Sequence, residues 1–311
     1  MIAILGPTAC GKTHYATRLA ADINGEIISA DSRQVFRGMD IGTGKDLEEY
    51  VVDGRPVPYH LIDIRDAGEE YSVFDFVSDF HTAYADIVAR KKTPILCGGT
   101  GLYLSAILQH YNFSKVPVDK AFHDEMQALE HAELIARLQA LKPTHNTTDL
   151  DTKPRTIRAL EIALHDVGVN TTTGAGLQPV PTAGTDYKSA PTPTTSASPE
   201  FPKISCDNVF ALFPSREVVR QRITQRLETR LNTGLIEEVE KLIRQGVPTQ
   251  RLLSYGLEYK FVTQYILGSI SKDSLFEHLN IAIHQFAKRQ MTWFRKMQRE
   301  GVVMTIVEPL S

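Results

Sequence analysis

The residues Gly6-Pro7-Thr8-Ala9-Cys10-Gly11-Lys12-Thr13 satisfy the phosphate-binding pattern G-x-x-x-x-G-K-[ST] at every fixed position. The chemistry of this pattern is polyphosphate binding. Glycines let the loop turn its backbone N–H groups inward, and those groups meet phosphate oxygens together with the N-terminus of the following helix. Lys12 adds a positive charge, and the Thr13 hydroxyl is placed to hold Mg²⁺. Gly6, Thr8, Ala9, Cys10, Gly11, Lys12 and Thr13 are therefore the expected binding set. The pattern identifies a polyphosphate. It does not say whether a phosphoryl group is transferred.

Two further groups could act beside such a ligand. Asp31 follows the apolar run Ile27-Ile28 and a Ser29-Ala30 pair, which puts a carboxylate at a strand's carboxyl end. It could be a general base, it could hold Mg²⁺ through water, or it could simply form an Asp-Ser turn. Gly98-Gly99-Thr100-Gly101 follows Ile95-Leu96-Cys97. Paired glycines at a strand end admit close approach of a ligand, and Thr100 offers a hydroxyl there. Arg222 and Arg226 share a face of a later helix. They, or Arg155 and Arg158, could reach a pyrophosphate, because arginine forks suit phosphate oxygens.

The elements that must position these groups are legible as alternation. Strand-like runs at Ile2–Leu5, Glu26–Ser29, His60–Ile64 and Pro94–Cys97 interleave with helical patterns at Thr13–Ile23 and Val73–Arg90. This predicts an α/β fold, with a parallel sheet flanked by helices and ligands beyond the carboxyl ends of the strands. Residues 111–167 read as helical, with Met126, Leu129, Leu134, Ile135, Leu138 and Leu141 forming one apolar face and Arg155–His165 a further helix. Residues 168–203 are rich in Thr, Pro, Ser, Gly and Ala and predict a flexible loop. A strand at Val209–Phe213 then leads into a helix capped by Ser215 with Glu217 in its first turn. Helices near Gly234–Gln245 and Ser274–Glu300 follow. The expected division is a discontinuous core, 1–112 and 203–311, with a helical insertion at 113–202.

The 311 residues suffice for one large core or two domains, and 34 Lys and Arg against 37 Asp and Glu imply no general polyanion affinity. The charge is uneven, however. Residues 203–311 carry 16 basic against 11 acidic residues, so the C-terminal third could meet a nucleic acid. Cys10, Cys97 and Cys206 form neither a zinc spacing nor a disulfide framework, which fits a reducing cytoplasm. No run approaches transmembrane length, and a strand beginning at Ile2 leaves no room for a signal peptide.

The motifs in combination resemble the tRNA dimethylallyltransferase (isopentenyltransferase) family. In order, these are the phosphate loop, the stretch from Asp31 to Thr43, Tyr59-His60-Leu61-Ile62-Asp63, Gly98–Tyr103, Arg155–Glu161 and Ala287-Lys288-Arg289-Gln290-Met291-Thr292-Trp293-Phe294-Arg295. The resemblance spans nearly the whole chain except 168–203. It implies a P-loop NTPase-like core and transfer of a dimethylallyl group from dimethylallyl diphosphate to N6 of the adenosine 3′ of the anticodon in tRNA. It casts Asp31 as base, with Lys12, Thr100, Arg226 and Mg²⁺ near Thr13 stabilising the departing diphosphate, and Thr8 touching it. It places Asp31, Ser32, Arg33, Gln34, Thr100, Arg155 and Arg158 against the tRNA, the insertion on the anticodon stem-loop, and the target base flipped out of its stack. A cytoplasmic monomer is expected.

The chain departs from the family pattern in places. Leu150-Asp151-Thr152-Lys153-Pro154 replaces a His-Pro-Asn-Asp-like stretch, and Leu257-Glu258-Tyr259 replaces Ile-Gly-Tyr. Phe36 stands where tyrosine is common, and His123 lies near a position that is often basic. These departures bear on acceptor use more than on the diphosphate site. The alternatives are prenylation of free AMP or ADP, a small-molecule kinase, and a nucleotide-regulated RNA-binding module. Arg33 breaks the Asp-x-Asp pair that some kinases place here.

Overall fold

Short strands of two to six residues, most of them apolar and followed by a helix, build a parallel sheet in this chain. A computed structural model describes residues 1–111, 116, 118–141, 147–172, 201–206 and 208–308. The first half of the core runs β1 (Ile2–Leu5), α1 (Lys12–Ile23), β2 (Gly25–Ala30), a 3₁₀ turn (Leu47–Tyr50) and a small antiparallel hairpin of β3 (Val51–Val52) and β4 (Arg55–Pro56). It continues through β5 (Tyr59–His60), α2 (Val73–Ala89), β6 (Thr93–Gly98) and α3 (Gly101–Leu108). The insertion holds α4 (Lys120–Gln127), α5 (His131–Leu141), a 3₁₀ turn (Thr147–Leu150) and α6 (Lys153–Thr172). The core resumes with β7 (Asn208–Leu212), α7 (Arg216–Asn232), α8 (Leu235–Arg244), α9 (Thr249–Leu252), α10 (Leu257–Ile266), α11 (Lys272–Arg299) and β8 (Thr305–Val307).

The main sheet has the order β5-β2-β6-β1-β7-β8, and every pairing in it is parallel. Its register fixes the geography of the site. Gly98 pairs with Leu5 on one side and with Ala30 on the other. The next residue of each strand, Gly6, Gly99 and Asp31, therefore leaves the sheet at the same level on three adjacent strands. Local chemistry starts the helices. Ser72 and Asp75 form a reciprocal capping box on α2, and Ser215 accepts the Val218 N–H to cap α7. Phe76, Phe80 and Ile87 on α2 are fully buried, each contributing about 1.5–3 kcal/mol of burial.

The chain divides into two compact units, residues 1–112 with 201–311 and residues 113–200. Phe201 belongs to the first because its ring lies against Phe74 and stacks on His81 at 4.9 Å. In the second unit, Met126, Leu134 and Leu138 pack with Ile157, Leu160 and Ala163, flanked by Leu129 and Leu141. Ile135 is half-buried and lies outside that core.

Three expectations need correcting. The strand expected at His60–Ile64 is only Tyr59–His60, because Leu61 (φ 63°) and Asp63 (φ 56°) adopt left-handed backbone and turn the chain away from the sheet. Residues 168–172 of the loop expected at 168–203 are instead the end of α6, which continues to Thr172; residues 173–200 lie outside the described residues. The short helices α9 and α10 and the edge strand β8 were not anticipated.

Candidate active site

The phosphate loop leaves β1 and returns into α1 through two residues of left-handed backbone, Ala9 (φ 60°) and Gly11 (φ 86°). Gly11 stands at the N-cap with no side chain closing the helix end, and no acidic residue occupies the first turn. The first N–H groups of α1 therefore remain open to an anion. Cys10 and Cys97, distant in sequence, pack in one apolar cluster beneath the loop. Burial raises the Cys10 thiol and pushes Cys97 up to about 12, so both are inert fillers. The Cys97 thiol donates to the Lys12 carbonyl at 3.8 Å.

Asp31 begins a turn at the end of β2. Its Oδ1 accepts the N–H of Arg33 at 2.8 Å and of Gln34 at 3.4 Å, which fixes the carboxylate and leaves Oδ2 for other partners. The turn reading and the base reading are thus compatible: the turn aims the group. Thr100 Oγ1 accepts the Ser32 N–H at 3.1 Å, and the Thr100 N–H donates to Ala30 O at 3.3 Å, so the ends of β2 and β6 are tied together. Gln34 accepts from Ser29 Oγ at 3.1 Å and donates to Gly44 O at 2.9 Å.

The third tie comes from far along the chain. Gln290 Oε1 accepts the Thr8 N–H at 2.8 Å, and its Nε2 donates to Gly99 O at 2.8 Å. One amide thus joins the phosphate loop to the Gly98-Gly99 loop. Three residues on, Trp293 Nε1 donates to Ser105 Oγ at 2.8 Å and its ring covers Gly101, where a Cβ would collide with it. The sequence marks Gln290 by position. It is polar on a stripe otherwise made of Ile283, Ala287, Phe294 and Met297.

The segment after Asp31 is held as firmly. The Glu238 carboxylate accepts the N–H groups of Asp40, Ile41 and Gly42 at 2.8, 2.7 and 3.0 Å, and the Tyr259 hydroxyl at 2.6 Å. Buried Lys45 donates to Phe36 O at 2.8 Å, to Asp40 at 2.5 Å and to Asp63. Arg226 lies against Gly44 and pairs with Asp46 at 2.5 Å. Burial and the neighbouring Asp46 raise Glu49, which feels both Arg226 and Lys12; the field of Arg222 reaches Cys10. Arg222 and Arg226 therefore stand on the phosphate-loop side. Arg33 approaches Gly256 at the start of α10.

A family model described as IPP transferase matches residues 34–297. The chain belongs to the IPP transferase family. It is 48% identical over 310 residues to a protein of Porphyromonas gingivalis named tRNA dimethylallyltransferase 2, covering 100% of this chain and 94% of that one. A counterpart of the same name from Bacteroides fragilis is 46% identical, covering 99% and 92%. The crystal structure of a tRNA isopentenylpyrophosphate transferase from Bacillus halodurans is similar at 32% identity and a TM-score of 0.63, over 99% of this chain and 89% of that one. The sheet and its flanking helices are the P-loop NTPase-like fold of these IPP transferases.

In the insertion unit of this IPP transferase, the two arginines expected to bind are engaged locally. Arg158 donates to Glu161 and to Val116 O at 2.6 Å, while exposed Arg155 pairs with Asp151 at 3.5 Å. Burial alone would raise Glu161, but the Asp119 N–H, Arg158 and His123 together hold it below its ordinary value. His123, at the departure noted in the sequence, makes its bond to Glu161 at 3.0 Å. For a metal, no group of three or more His, Cys, Asp or Glu side chains gathers among the described residues. The Thr13 hydroxyl with no carboxylate cage fits an Mg²⁺ that draws most of its shell from phosphate oxygens and water.

Proposed function

We propose that this chain transfers a dimethylallyl group from dimethylallyl diphosphate to N6 of the adenosine immediately 3′ of the anticodon in tRNA, forming N6-isopentenyladenosine. The observation that carries this reading is the meeting of Gly6, Gly99 and Asp31 at one level of three adjacent parallel strands. A diphosphate cradle and an aimed carboxylate then share one edge.

The diphosphate lies against the loop N–H groups and Lys12. Mg²⁺, when bound at Thr13 and the diphosphate, supplies charge neutralisation for the leaving group. The allylic C1–O bond breaks, the C1–N6 bond forms, and the N6 proton passes to Asp31 Oδ2. Lys12, Thr100 and Arg226 face the charge that grows on the departing diphosphate. Adenine N6 is a poor nucleophile because its lone pair is delocalised into the ring, so proton removal must accompany bond formation. Ser32, Arg33 and Gln34, on the same turn, contact the flipped nucleotide. The insertion, with Arg155 and Arg158 on α6, is the part that grips the anticodon stem-loop. Among the described residues no helix is long and apolar enough to cross a membrane.

The test incubates the protein with Mg²⁺, labelled dimethylallyl diphosphate and, in parallel, unmodified tRNA reading U-initial codons, AMP and ATP. Label at the adenosine beside the anticodon is the expected result. Label in AMP or ATP instead assigns a free-nucleotide acceptor. No transfer to any acceptor, with diphosphate binding intact, overturns the reading.

A further inference from the structure

Arg226 and Arg230 lie one helical turn apart on α7, and both guanidinium groups rest against Gly44, where a Cβ would collide with each. Two like charges this close require shared counter-charge. Asp46 supplies it unequally: Oδ2 is 2.5 Å from Arg226 Nη2, while Oδ1 is 3.9 Å from Arg230 Nη2. On its other side Arg230 meets Glu258 Oε1 at 4.0 Å. Arg230 is only 12% exposed, and its buried Nη2 has no hydrogen-bond partner among the described residues. Burial, with Arg226 adding to it, lowers Arg230 to about 10. A buried donor left unbonded is costly, and one beside a carboxylate is placed to bond in another state of the protein. Asp46 itself sits in left-handed backbone (φ 45°) at the start of the 3₁₀ turn, and its side chain makes no cap bond there. Burial raises the Glu258 carboxyl, and the nearby Arg230 guanidinium works against that rise.

We propose that Arg230 is the standby partner of Asp46. When the donor's diphosphate draws Arg226 away, the Asp46 carboxylate turns to the unbonded Nη2 of Arg230, and Glu258 keeps Arg230 in place for it. This rests on Arg226 acting on the diphosphate. Closing 3.9 Å to a hydrogen bond takes a shift of about 1 Å. Without the exchange, releasing Arg226 would leave Asp46 unpaired beside a second arginine it could not reach. Asp46, Arg230 and Glu258 are positioning residues; none of them touches the reacting atoms.

The test measures binding of inorganic diphosphate, with Mg²⁺, to the full chain by calorimetry. Free diphosphate carries the charge that Arg226 meets as the leaving group departs. Arg230→Met removes the standby and is expected to weaken binding by about three- to tenfold, in the range of partly buried ion pairs. Asp46→Asn removes the competitor, so binding is at least as tight as in the unaltered protein. In Asp46→Asn, adding Arg230→Met is expected to cost nothing further, because there is no carboxylate left to transfer. Equal losses from Arg230→Met in both backgrounds would mean that Arg230 meets the anion itself and would overturn the exchange; no loss in either would also overturn it. Arg230→Lys, which keeps the charge, replaces Arg230→Met if that variant does not fold, with a smaller loss expected in the same background-dependent pattern. Arg226→Ala in the same titration separates the underlying reading: binding unchanged there removes Arg226 from the diphosphate, whatever the other variants do.

Discussion

The base proposed at Asp31 would keep its turn and its chemistry on different oxygens. Oδ1 is occupied by the Arg33 and Gln34 N–H groups, so Asp31→Asn keeps an acceptor for the turn and removes only the proton acceptor. We expect Asp31→Asn to lower kcat by about 10²–10⁴, the range for general-base removal, with the affinity for inorganic diphosphate within twofold. A loss confined to KM would move Asp31 from base to binding group. Asp31, Thr100 and the phosphate loop were legible in the sequence because strand ends and fixed spacings announce them. The contacts of Gln290, Asp46 and Arg230 were not, because each is made with a partner remote in the chain. Gln290 meets Thr8 across 282 residues, and Arg226 meets Asp46 across 180. A residue's own neighbours in sequence carry little of that information.

At the scale of elements, the stretch from Asp31 to Lys45 is a loop that behaves as a framework piece. Val35, Phe36 and Met39 are buried in the same cluster as α7, α8, α10 and α11, while Glu238 gathers three of its N–H groups. Glu238→Gln keeps one acceptor oxygen but loses the charge on these bonds, and is expected to lower unfolding free energy by about 1–3 kcal/mol in urea titration. The same variant should raise KM for the acceptor, since Ser32 and Gln34 sit on the released segment. Unchanged stability would show that the apolar cluster alone holds the loop. Strands and long helices were readable here because periodicity and caps are local, as in the helical pattern at Val73–Arg90 and the Ser215 cap. The end of β5 was not, because the left-handed turns at Leu61 and Asp63 occur at residues without the usual glycine.

At the scale of the molecule, alternation of strands and helices in the sequence gives a parallel sheet but not the order β5-β2-β6-β1-β7-β8, which depends on where each crossover lands. Glu26, near the start of β2, lies in a buried charge network. Glu26, nearly fully buried, accepts from Arg90 and meets His60 at 2.8 Å. Hydrogen bonds from Arg90, with help from His60, hold its carboxyl below the ordinary value. A carboxyl lowered in the folded state stabilises the fold above its unfolded value and loses that contribution as pH falls below about 4. Melting temperature should therefore drop between about pH 5 and 3. Glu26→Gln should melt lower at neutral pH and show a shallower acid decline; parallel curves for the two proteins would assign the acid limit elsewhere. The Gln290 bridge has a consequence in time as well as in space. During synthesis the loops at Thr8 and Gly99 leave the ribosome long before α11 exists, and contacts of such sequence separation form late. A ribosome that stops short of α11 has made the proposed phosphate-binding residues but not Gln290, so an unfinished chain lacks the amide that ties the Thr8 and Gly99 loops to each other.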